Sequence, residues 1–303
     1  MKINWKGLIL WSNHFYGICA VLLAIESNFM LIQKMPNLFL LLFIHLATVV
    51  YYTHAYLQEV HDGVYNERTT WYQNNAKYLI IRQILFICLS IWIGLFKLDI
   101  LNLFYHATLW VKCIMLLTIF ISAIYYLPKY SIFSFNIFRH IGILKSISIA
   151  WVWSIISCVL PIWLELHENF THILNTYIFW DHFIFIFLFI LILAILFDIK
   201  DLYRDKKELV HTIVAKYGID FTIHKIILPL LCIQFLFVLL GYMLHVNSGW
   251  QFNINLLMLG LTYLVARKVI HYDAIHTNLL MIDGLIVIKA ISGIVISLIM
   301  LKS

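Results

Sequence analysis

Asp198, Asp201 and Asp205 stand at i, i+3 and i+7 in the stretch DIKDLYRDKKELVHTIVAKYG, residues 198–218. On a helix that spacing puts three carboxylates on one face, with neighbouring Cβ atoms about 5–6 Å apart. Like charges on one stripe repel, more so where a membrane boundary strips part of their water. The C-terminal dipole of a helix ending there adds to the cost. A hard divalent cation relieves the repulsion. Mg2+ takes one or two carboxylates and leaves its other positions to water and substrate phosphate. The same stripe also reads as a solvated helix end, its acids neutralised by Lys200, Arg204, Lys206 and Lys207.

A second polar segment, YYTHAYLQEVHDGVYNERTTWY, puts His54, Gln58 and Asp62 at i, i+4 and i+8, flanked by Glu59 and His61. As a cation site it is poorer, with Asp62 on the stripe and Glu59 three positions before it. His54 reads either as a transition-metal ligand or as a polar residue packed between helices. His271, Asp273 and His276 form H-x-D-x-x-H, a spacing that fits no metal motif and reads as a polar loop. Lys112 lies within the apolar run TLWVKCIML, where a charge is expensive and is expected to face the bundle interior or to snorkel.

The elements that must position these groups follow from composition. Of 303 residues, 63% are hydrophobic and 12% charged, and mean hydropathy is +0.92. Soluble domains carry about 25% charged residues, so the bilayer must be the solvent for most of this chain. Continuous apolar runs of membrane length, without period-two alternation, predict helices and not barrel strands. They fall near 7–26, 37–57, 79–96, 102–126, 142–162, 174–197, 222–246, 250–267 and 281–300. The expectation is an all-α membrane bundle of about nine spans forming one domain.

With the N-terminus cytoplasmic, that layout puts sixteen of the twenty-one Lys and Arg residues on inside segments. Such a bias is what the positive-inside rule requires, so the N-terminus is expected inside the cytoplasmic membrane and the C-terminus outside. The net charge of +6 then describes loops facing anionic lipid headgroups, with no nucleic-acid footprint and no protein partner expected. The five cysteines fall singly in predicted spans, without a disulfide framework.

The second Asp-rich segment resembles that of the UbiA family of intramembrane prenyltransferases, a pattern of D-x-x-D-x-x-x-D followed by Thr and Gly. Here these are Asp198, Asp201, Asp205, Thr212 and Gly218. Residues 135–161, FNIFRHIGILKSISIAWVWSIISCVLP, are similar to the family's fifth helix. The resemblance implies Mg2+ held between two Asp-rich motifs, an isoprenoid diphosphate ionised to an allylic cation, and capture of that cation by a lipophilic or aromatic acceptor. It implies metal binding at Asp198, Asp201, Asp205, Asp62 and Glu59. His54 and Gln58 then face substrate, and Arg68, Arg139 and Lys145 are candidate diphosphate contacts. The family's first motif is N-x-x-x-D-x-x-x-D, and this chain departs from it with His54, Gln58 and Asp62. A non-catalytic relative that binds lipid or isoprenoid is therefore the alternative. A transporter ranks third, because the acids are expected at the boundary and only Lys112 at the centre.

Overall fold

The computed structural model describes residues 6–61, 67–125, 142–200, 202, 212–269 and 275–301. Every regular element among them is a helix. Nine longer rods can be followed. They are α1 (His14–Ile32), α2 (Leu38–His61), α3 (Ala76–Phe96), α4 (Leu109–Tyr125), α5 (142–166), α6 (Tyr177–Lys200), α7 (Ile219–Met243), α8 (Gly249–Val269) and α9 (Ile275–Met300). Seven of them, all but α4 and α8, are long and apolar enough to cross a membrane. The chain is a helical membrane protein. α4 has 17 residues, about 25 Å at ~1.5 Å per residue, and α8 carries Gln251, Asn253, Asn255, Arg267 and Lys268.

Local chemistry explains most interruptions. α5 and α7 each contain a π turn, Ile155–Val159 and Ile223–Ile227, and each turn is followed at the second residue by a proline, Pro161 and Pro229. Proline lacks an N–H and its ring clashes with the carbonyl four residues back. A wider turn just upstream lets the rod continue. The run expected as one helix over 102–126 is instead two pieces, Ile100–His106 and α4, parted at Ala107 and Thr108. The apolar run at the start divides as well. Lys6–Trp11 forms a π turn, and Asn13, left-handed at φ 67°, redirects the chain into α1.

α1 packs along α2, α5 and α9, while α6 packs against α5, α7 and α9. Directions can be read from the contacts. Asn13 of α1's start meets Thr53 near the end of α2, so these two run antiparallel. Glu165 near the end of α5 bonds Lys34 and the Asn37 amide, at the far end of α1, so α5 runs parallel to α1. Cys19 reaches the Asp283 carbonyl and Glu26 reaches Lys289, so α9 is parallel to α1 too. The start of α8 lies beside the end of α1, with Gln251 against Met30.

Candidate functional site

α5 and α6 are antiparallel and meet where α6 approaches its end. There Asp198 is 1% exposed, and the Lys145 ammonium stands 2.6 Å from its Oδ1. The Ser146 hydroxyl donates to Oδ2 at 3.4 Å. A carboxylate drawn out of water needs both a counter-charge and donors for its remaining lone pairs. The first acid of the triad thus meets a residue expected at the diphosphate. Asp201, Asp205, Asp62 and Arg139 lie outside the described residues, as do the side chains of Gln58 and Glu59. His54 is exposed on α2. Among the described residues no three His, Cys, Asp or Glu side chains gather as a metal site.

Thr212 and Gly218, the other residues of the second motif, bound one short helix, Ile213–Tyr217. The Thr212 hydroxyl accepts from the Ala215 amide and caps its start. Gly218, at φ 85° and ψ 169°, ends it in a conformation nearly confined to glycine.

Arg68 goes elsewhere. It is buried in the short helix Glu67–Asn74, its guanidinium 3.5 Å from the centre of the Tyr56 ring. Its Nη2 donates to the Leu10 and Trp11 carbonyls at 3.4 and 3.5 Å and to Asn13 Oδ1. Arg82 of α3 donates to the Ser12 carbonyl at 3.2 Å and to Thr53 Oγ1 at 3.1 Å. The last carbonyls of a helical turn have no partner within it, and cations suit them. Two arginines therefore close the end of the Lys6–Trp11 turn. Asn13 completes the cluster by donating to Thr53 and to the Tyr72 hydroxyl, at 3.1 and 2.7 Å. Burial pushes the Tyr72 phenol up, so it stays neutral there.

Between α1, α2, α4 and α5 lies a cavity of about 200 Å3, walled by Ala47, Tyr51, Tyr52, Ser148, Val152 and Trp153. Trp153 Nε1 donates to the Tyr52 hydroxyl at 2.8 Å, and Tyr52 stacks on Tyr16 with ring centres 4.4 Å apart. Lys145, Ser148 and Val152 are spaced by three and four, so Lys145 shares the face of α5 that lines the cavity, while its ammonium turns to Asp198 of α6. Ligand pockets for drug-sized molecules run to about 300–1,000 Å3, so this cavity is smaller than most of them.

Lys112 takes the expected alternative to an interior contact: it sits in the first turn of α4 and donates to the Tyr105 carbonyl at 2.8 Å. Asp283 of α9 is buried, and so are Glu26 and Lys289, paired at 2.7 Å with side chains 4% and 3% exposed. Neither carries a motif, and they are 263 residues apart, so local spacing held no signal of the pair. No protein-family model, curated protein or solved structure matches the chain.

Proposed function

We propose that the chain binds an isoprenoid diphosphate at the end of the bundle holding Asp198 and Lys145, and transfers its prenyl group to a lipophilic or aromatic acceptor. The observation carrying this reading is that buried charge pair, with Lys145 on the same face of α5 as Ser148 and Val152, which line an apolar, aromatic-walled cavity. In the transfer the C–O bond to diphosphate breaks and its electron pair leaves with the phosphate. A bond forms between the prenyl carbon and the acceptor, which loses a proton. The dry cavity keeps water from the cation, and the rings of Tyr52 and Trp153 offer it π faces.

Mg2+ belongs to this proposal, with Asp198, Asp201, Asp205, Asp62 and Glu59 as its carboxylates. When bound it supplies the charge neutralisation that makes diphosphate a leaving group. Asp198 fits such a role once Lys145 turns from it toward the phosphate. The UbiA-like identity, nine spans and a cytoplasmic N-terminus are part of the same reading. Nine spans are supported by α5 and α9 running parallel to α1, the direction they take if α4 and α8 also cross.

The test is titration of geranylgeranyl diphosphate into the protein in lipid nanodiscs, with and without Mg2+, for the wild type, Asp198→Asn and Asp201→Asn. The expected result is Mg2+-dependent binding weakened at least about tenfold by either substitution, the effect of one charge-assisted hydrogen bond. Binding indifferent to metal and to both carboxylates would sink the transferase reading. The second reading, a non-catalytic binder of lipid or isoprenoid, is favoured by Arg68 being committed to the protein's own carbonyls. It expects weak or metal-independent binding and no turnover.

A further inference from the structure

Two hydroxyl groups in the wall of the cavity between α1, α2, α4 and α5 are left without a protein partner. They belong to Ser148 of α5, which is 5% exposed, and Ser122 of α4. Other hydroxyls of these helices turn back to the carbonyl four residues earlier. Thr48 donates to Ile44, Thr118 to Ile114, Ser154 to Ala150 and Ser157 to Trp153, at 2.6–2.8 Å. Among the described residues Ser148 and Ser122 make no such bond and no other.

Packing brings both hydroxyls to the same space. Trp151 Nε1 of α5 donates to Thr118 Oγ1 of α4 at 3.1 Å and ties the two helices together. Ser148 lies three residues before Trp151 and Ser122 four after Thr118, about one turn from that bond on each helix, and both line the cavity. A hydroxyl with no partner is costly where the surroundings are hydrocarbon.

Size, charge and wall chemistry narrow the occupant. The volume is about 200 Å3, and a cavity of roughly 150 Å3 holds a benzene molecule. One substituted ring therefore fits, and a geranylgeranyl chain does not. Among the described residues of the wall none is Lys, Arg, His, Asp or Glu, so a charged group would enter without a counter-charge. The Lys145 ammonium, one turn from Ser148, is engaged by Asp198. Tyr51, Tyr52 and Trp153 supply aromatic wall, against which a flat ring packs well. We infer that this cavity binds a neutral, single-ring molecule bearing a hydroxyl, a phenol, which is hydrogen-bonded to Ser148 Oγ. Such binding does not depend on prenyl transfer; only the further step, that the bound ring is also the acceptor, rests on the proposed function.

The test is a fluorine NMR titration of the protein in lipid nanodiscs with para-fluorophenol, fluorobenzene and para-fluorobenzoate at neutral pH. Empty nanodiscs measure partition into lipid. The expected result is saturable binding of para-fluorophenol, about fivefold tighter than fluorobenzene, the effect of one neutral hydrogen bond, and none of para-fluorobenzoate. Ser148→Ala removes a hydroxyl that has no partner in the protein, so the fold is kept, and the variant should bind the phenol no better than fluorobenzene. Four results each overturn the inference: no binding beyond that of empty nanodiscs, fluorobenzene bound as tightly as the phenol, para-fluorobenzoate bound as tightly, or a phenol preference that survives in Ser148→Ala. The transferase reading fails separately, in the diphosphate titration. Phenol binding by a protein whose diphosphate binding ignores Mg2+ and Asp198 would leave this inference standing without it.

Discussion

Glu26 of α1 and Lys289 of α9 meet at 2.7 Å and are both almost wholly buried, so the first and last long helices are joined by an ion pair inside the bundle. Removing one partner leaves the other charge buried and uncompensated. Lys289→Met is expected to destabilise the protein by about 3–5 kcal/mol. The double variant Glu26→Gln with Lys289→Met removes both charges and should recover most of that loss. A double-mutant cycle read by SDS-induced unfolding in mixed micelles measures the coupling. Additive losses would mean the pair contributes little beyond two independent side chains.

At the other end, Lys145 and Asp198 carry opposite expectations for a diphosphate ligand, although they touch in its absence. Lys145→Met removes a cation from the proposed phosphate site and takes the ammonium from Asp198, whereas Asp198→Asn takes the carboxylate charge from Lys145. Lys145→Met should weaken geranylgeranyl diphosphate binding by about tenfold or more, and should raise apparent Mg2+ affinity in the absence of diphosphate. Calorimetric titration of Mg2+ alone into both variants separates the roles. Equal Mg2+ affinity in wild type and Lys145→Met would make the pair purely structural.

Much of the architecture was legible because hydropathy reports the solvent. The run expected at 79–96 lies within α3, and the one at 174–197 nearly coincides with α6. Where the reading slipped, a polar residue had a distant partner. The first span was expected to end at 26, where Glu26, Ser27 and Asn28 interrupt the apolar run. α1 continues to Ile32, because Glu26 is matched by Lys289 and Ser27 by His182. The break at Ala107 and Thr108 carries no Gly or Pro and left no local mark. Site residues divide the same way. The Asp198 stripe is visible as spacing, but its contact with Lys145 comes from the packing of α5 on α6. Asn13, Thr53, Tyr72 and Arg82 form a cluster whose members share no sequence pattern.

Arg68 tests whether its role is to bind ligand or to hold the chain. Its Nη2 reaches two carbonyls and the Asn13 amide oxygen while its planar face lies on Tyr56. Lysine cannot reproduce that stacked plane. Arg68→Lys is expected to cost about 1.5–3 kcal/mol, the range for hydrogen bonds from a charged donor. It should also increase proteolytic cutting near Lys6, since the Lys6–Trp11 turn loses its closure. Diphosphate affinity, measured on the folded fraction, should change less than in Lys145→Met. A variant of full stability that has lost diphosphate binding would return Arg68 to the ligand site.

The direction of α5 gives the sharpest test of topology. If only the seven long apolar helices crossed the membrane, α4 would leave residues 126–141 on the same side as Met35, and α5 would then run opposite to α1. The Glu165 contacts to Lys34 and Asn37 place the end of α5 beside the end of α1, the direction expected of the proposed nine-span arrangement. In a background lacking the five native cysteines, Met35→Cys and Gly249→Cys, both at exposed positions, should react with an impermeant maleimide applied to intact cells. Ser131→Cys and Lys206→Cys should react only after the membrane is opened. Labelling of Ser131→Cys together with Met35→Cys would mean that α4 does not cross. Labelling of Lys206→Cys from outside, with Met35→Cys protected, would invert the orientation, and the basic loops would then not be cytoplasmic as the positive-inside rule requires.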